Sequence, residues 1–107
     1  MKLVAAIILA GTQWAAVDGP QTLSFQAGQA GGTGGCNRYG ASYQQQGNRL
    51  HFGPIMATRM ACAPGVMTRE QNWFGRLDRV ATAEVRNRML VLKDGAGHVL
   101  ARLKRAR

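Results

Sequence analysis

Acidic residues are scarce in this 107-residue chain, which carries five Asp and Glu against 14 Lys and Arg. No two of the five stand at a spacing suited to paired acid and base work. Glu70 and Asp78 share one helical stretch eight residues apart, and Asp18, Glu84 and Asp94 fall at turns or strand starts. Carboxylates this sparse read as a solvated surface. Histidine is limited to His51 and His98 and cysteine to Cys36 and Cys62, with no C-x-x-C, so zinc-ligand spacing is missing. No lysine occurs between Lys2 and Lys93, which excludes a phosphate loop ending in Gly-Lys-Ser/Thr. The run "GGTGGCN" places Asn37 where a dinucleotide-binding loop needs its third glycine, and a strand rather than a helix is expected to follow. Nothing here requires a cofactor or a metal.

Long apolar runs are also missing. The longest, residues 3–10 behind Lys2, is far too short to span a bilayer, so no transmembrane span is expected. It has the form of a compressed export signal, or equally of a lead-in strand packing onto the domain, over residues 1–11. The "LAGT" that follows looks like a lipoprotein box with Thr12 in place of the acylated cysteine, so lipid attachment cannot occur there as written.

What is present is a single domain, residues 11–107, with 46% hydrophobic residues and 18% charged ones, a globular balance. The formal net charge is +9. Such a charge favours anionic partners. The cations are scattered except in "RLKRAR" at the end of the chain, which reads as a short basic solvated tail. Aromatic residues make up only 7% and fall mostly at apolar positions, whereas a nucleic-acid module interleaves them with cations on a sheet face. Nucleic acid is therefore not the expected partner.

Periodicity places strands at residues 12–17, at "TLSFQ" and at "ASYQQQ", which a Gly47-Asn48 turn joins to "RLHFGPI". Further strands flank "RNR" and "DGAG", where Leu90 and Leu92 share one face and Val99, Ala101 and Leu103 another. Thr68 and Gln71 form a capping box with Glu70 in the first turn, and Trp73, Phe74, Leu77 and Val80 make one apolar stripe. The expected fold is mainly β in the α+β sense. It has six or seven antiparallel strands in a small barrel or half-barrel meander, with one helix over 68–81.

Cys36 and Cys62 have two readings, a disulfide in an oxidising compartment or two buried thiols acting as small hydrophobes. A thiol nucleophile paired with His51 lacks an acidic orienter, and the chain is expected not to be an enzyme. Tyr39 and Tyr43 lie four apart in one strand and share a face with Ala41. With Arg38 and Arg49 they form the candidate ligand face of an inhibitor-like or peptide-binding barrel. Asn37 is expected to bond nearby backbone, and the glycines beside it to mark close backbone approach.

"GGTGGCNRYGASY", "LHFGPIMATRMACAP", the "REQNWFGRLDRV" helix and "LVLKDGAGHVLARL", in that order, resemble the META domain of HslJ-like bacterial heat-shock proteins. The resemblance spans residues 11–104 and rests on Gly35, Cys36, Asn37 and Tyr39, then Thr58, Met60 and Cys62, with "GTQW" as the opening strand. It implies a small antiparallel β-barrel with one helix, in which these residues are framework positions near one another. It also implies a periplasmic or envelope location, a link to heat shock and novobiocin tolerance, and no catalytic residues. The partner expected on these grounds is an anionic envelope component or another envelope protein.

Overall fold

The computed structural model describes residues 7–106. Nine strands and one helix follow in the order β1 (Gln13–Ala16), β2 (Thr22–Gln26), β3 (Gln29–Thr33), β4 (Arg38–Gln46), β5 (Arg49–Phe52), β6 (Met56–Ala57), α1 (Pro64–Asp78), β7 (Thr82–Arg86), β8 (Met89–Lys93) and β9 (Val99–Arg105). They form one antiparallel sheet in the order β3-β2-β1-β9-β8-β7-β5-β4-β6, and β3 also pairs with β4. The sheet thus closes on itself, and only β6, a two-residue strand on the flank of β4, stands outside the circuit. Closure pairs the edges that an open sheet would leave for aggregation.

The mainly β architecture with a single helix matches expectation, but β3 and β6 were not anticipated. β3 reads "QAGGT", with too few side chains to show alternation, and β6 is too short to carry a period. The ring interior is packed by Trp14, Leu23, Phe25, Tyr43, Leu50, Phe52, Leu90, Leu92 and Leu103. Phe25 meets the edge of Tyr43 at 5.0 Å between centroids and stacks on Phe52 at 6.2 Å. Burying each large side chain contributes about 1.5–3 kcal/mol, so these contacts dominate the favourable side of folding. The "RNR" turn joins β7 to β8 through Asn87 and Arg88, both at positive φ (50° and 63°), as a tight hairpin turn of primed type requires.

Three expectations are corrected. A register shift at Leu92/Lys93 breaks the alternation expected in β9, so Leu103 is buried, Leu100 and Ala101 are half-buried, and Val99 faces outward. The basic end of the chain is not a fraying tail, because Arg102, Lys104 and Arg105 lie in β9, where Arg105 opposes Trp14 and covers its ring at 5.4 Å. The helix begins at Pro64 and ends at Asp78 rather than spanning 68–81. Proline is favoured at a first helical position, where its missing N–H costs nothing, and Ala63 precedes it without a side-chain cap. Thr68 is therefore inside the helix, donating its hydroxyl to the Pro64 carbonyl at 3.0 Å, and no capping box with Gln71 exists.

The lead-in before β1 belongs to the folded domain. The export-signal reading covers residues 1–11, of which 1–6 lie outside the described residues, while residues 7–12 are tied down without forming a strand. Leu9 is 1% exposed in the core. The Thr12 hydroxyl donates to the Leu9 carbonyl at 2.6 Å and accepts from the Trp14 indole N–H at 2.7 Å. Gln45 of β4 accepts from the Leu9 N–H and donates to the Ile7 carbonyl. Substituting Leu9→Ala should cost about 2–4 kcal/mol by leaving a cavity. In urea unfolding this is read as a lower midpoint at unchanged slope, and an unshifted midpoint would mean that residues 7–12 do not contribute to the fold.

A candidate site at the disulfide and Glu70

The turn between β3 and β4 and the segment between β6 and α1 meet at the side of the ring. Cys36 from the turn and Cys62 from the segment form a disulfide, with Cα atoms 6.1 Å apart, so the bonded reading of the two cysteines holds. Beside it lies Glu70 of α1, 2% exposed and in no ion pair among the described residues. Its Oε2 accepts the Cys36 N–H at 2.9 Å and the Asn37 N–H at 2.5 Å, and its Oε1 accepts the Asn37 side-chain amide at 2.8 Å. Burial pushes the Glu70 carboxyl up, but the Asn37 and Cys36 donors more than offset this and hold it below its usual range.

Asn37 extends the network to the far segment. Its Oδ1 accepts the Met60 N–H at 2.6 Å and the Thr58 hydroxyl at 2.9 Å, while its Nδ2 also reaches the Met60 carbonyl at 3.4 Å. Thr58 in turn accepts the Arg38 N–H at 3.2 Å. All four hydrogen-bonding positions of the Asn37 side chain are thus filled, chiefly by residues distant in sequence rather than by the local backbone expected for it. Glycine is needed where the turn touches the carboxylate, since a Cβ on Gly34 would lie 2.7 Å from Glu70 Cγ. Gly35, at φ 115°, occupies a conformation that side chains disfavour.

The framework residues Gly35, Cys36, Asn37, Thr58, Met60 and Cys62 are therefore brought together. Tyr39 begins the adjoining stretch of β4 and packs at 5.4 Å on Phe74 of α1. The ligand face proposed from Tyr39 and Tyr43 is not present as such. Both rings point into the core, 6% and 9% exposed, and their hydroxyls donate to the carbonyls of Thr22 and Gln26, each at 2.6 Å. Burial pushes the Tyr39 hydroxyl far above its usual range. Arg38 and Arg49 are exposed on the opposite side of the strands, as alternation demands.

Glu70 is the residue that sequence reasoning misassigned, as a solvated carboxylate in a first helical turn. A signal was present. Carrying the Trp73–Leu77 stripe back one turn lands on Glu70, three residues before Trp73. A cleft of about 580 Å³ opens beside the network, and its lining includes Ile55, Thr58, Met60, Met67, Glu70 and Phe74.

A closed antiparallel sheet with a helix stapled to one flank by a disulfide and a buried carboxylate defines a small β-rich domain with a cleft beside that staple. Residues 4–107 match the META domain, and the chain belongs to that family. Among solved structures, a Burkholderia xenovorans protein determined by NMR is similar at 26% identity and a TM-score of 0.73, over 92% of this chain and 83% of the other. A second NMR structure is similar at 18% identity and a TM-score of 0.69, over 90% of each chain. A crystallised DUF4847 family protein from Bacteroides vulgatus shares the fold at 12% identity and a TM-score of 0.74, over 91% of this chain and 94% of the other. No curated protein is significantly similar to the chain.

Two outcomes check the network. Because the folded-state carboxyl of Glu70 titrates below its unfolded value, its contribution is fully present above the unfolded carboxylate range. It is lost as pH falls through the folded value. Glu70→Gln should flatten that acid limb of stability and cost about 2–3 kcal/mol at neutral pH, since its amide would face a donor of Asn37 or Cys36. An unchanged pH profile in urea unfolding would remove Glu70 from this role. Reduction of the disulfide, which closes a loop with a sequence separation of 26, should cost about 3–4 kcal/mol, read as a drop in melting temperature on adding reductant.

Proposed function

We propose that this META-domain chain is a non-catalytic module of the bacterial cell envelope that binds an anionic envelope component and so contributes to tolerance of heat and novobiocin stress. The observation that carries this reading is the surface charge. Of the five carboxylates set against 14 cations, Glu70 is buried, which leaves four acids to face that excess at the surface. The outside is more one-sided than the composition alone suggests, and fields of this sign concentrate anionic polymers and headgroups.

Other features support the reading. A disulfide persists where the compartment is oxidising, as outside the bacterial cytoplasm. Both cysteine sulfurs are used in that bond, so neither is a nucleophile, and the Glu70 oxygens are already occupied by backbone and amide donors. Among the described residues no helix is long and apolar enough to cross a membrane. The peptide-binding alternative on Tyr39 and Tyr43 loses its basis because those rings are core residues.

Disulfide-intact protein should co-sediment with isolated envelope fragments at low salt and be released several-fold as ionic strength approaches the physiological range, where the screening length is about 8 Å. Binding that ignores salt, or no binding at low salt, would overturn the electrostatic reading. A strain lacking the chain should lose viability under heat or novobiocin, and survival equal to the parent would overturn the link to stress.

A further inference from the structure

The segment from β6 to the second turn of α1 reads "MATRMACAPGVM", residues 56–67, and nearly all of it is exposed. Its composition is that of an interior, with Arg59 its one charged residue. Met56 is 77% exposed, Met60 56% and Met67 40%. Met56 stands opposite Gly40 of β4, which has no side chain to cover it, while Met60 and Met67 line the 580 Å³ cleft. A shallower hollow holds Met56 and Arg38, and Ala57 and Thr58 line both, so the two depressions adjoin. Isolated exposed hydrophobics need no explanation, but three long thioether side chains on one contiguous strip do.

The strip is also held in place. Its middle is fastened by the disulfide at Cys62, by Asn37 at Thr58 and Met60, and by the buried Glu70 carboxylate. An exposed segment that only linked two elements would have no need of such anchorage. The charges around it have one sign. Arg38 and Arg59 are exposed on the two hollows that hold the methionines, neither takes part in the ion pairs among the described residues, and the one carboxylate lining the cleft, Glu70, is buried.

We infer that residues 56–67 form a membrane-docking face, in which Met56, Met60 and Met67 enter the apolar boundary of an anionic bilayer while Arg38 and Arg59 meet its lipid phosphates. The inference rests on the anionic-component reading above and names its ligand as anionic lipid and its site as this strip. Apolar insertion and headgroup attraction reinforce one another, each being weak alone.

Vesicles of phosphatidylglycerol and phosphatidylethanolamine, vesicles of phosphatidylcholine alone, and soluble dextran sulfate are the probes. Wild type is compared with a Met56→Gln, Met60→Gln, Met67→Gln variant, whose side chains keep similar length and lie at exposed positions, and whose fold is checked by circular dichroism. Docking through the strip predicts that wild type binds the anionic vesicles and not the neutral ones, and that the variant binds them about tenfold or more weakly. Both proteins should bind dextran sulfate alike. Equal binding of both proteins to anionic vesicles would overturn this face while leaving the electrostatic reading standing. Wild-type binding to dextran sulfate but to no vesicle would also overturn the lipid assignment alone. Failure to bind any anionic probe at low salt would overturn both. A Met60→Trp variant adds a second readout, because Trp14 and Trp73 are buried. Its fluorescence should shift to the blue on anionic vesicles, and no shift would place the strip outside the bilayer.

Discussion

The arrangement hangs on one buried negative charge. Among the described residues Glu70 forms no ion pair, and the backbone of Cys36 and Asn37 and the Asn37 amide make its burial tolerable. An ionised group buried without partners would cost several kcal/mol, so the turn between β3 and β4 cannot relax away from the helix without exposing that cost. The same requirement dictates the residues around it. Gly34 must lack a side chain, Gly35 must take its unusual backbone angle, and Asn37 must present both an acceptor and donors. Cys36, already in the turn, then stands close enough to Cys62 to be bonded.

The ring and this clamp do different work. The ring is stabilised by apolar burial, which is non-directional and tolerant of rearrangement. Hydrogen bonds to a charge are directional and lock one geometry. The clamp is where the helix and the segment before it are told where to sit. Its neighbour, the cleft lined by Met60, Met67 and Phe74, inherits that geometry rather than creating it.

Much of the ring was legible in the sequence because alternation reports burial directly. Leu23 and Phe25, Leu50 and Phe52, and Leu90 and Leu92 all point where a period of two places them. Elements with little pattern were not legible. β3 is hidden in glycines and β6 in two residues, and the shift at Leu92/Lys93 reverses the expected order at Val99. The helix start was misread because Thr68 and Gln71 fit a capping box, whereas Pro64 in fact opens the helix. Asn37 and Glu70 illustrate a deeper limit. Their partners lie 33 residues apart, and no local pattern reports a contact across that separation. Tyr39 and Tyr43 were ambiguous for another reason, since a tyrosine suits a surface or a core equally until its hydroxyl finds a carbonyl.

The two strands that seal the ring are β1 and β9, first and last in the chain order, paired through Trp14 with Arg105, Ala15 with Lys104 and Ala16 with Leu103. Closure is therefore the most non-local event the topology contains, and a partially synthesised or truncated chain has no substitute for it. Until β9 arrives, β1 and β8 are bare edges flanking an unsealed apolar interior. Between the making of β8 and that of β9 the nascent domain is thus a sheet with two sticky margins, and it becomes self-contained only when residues 99–105 are in hand.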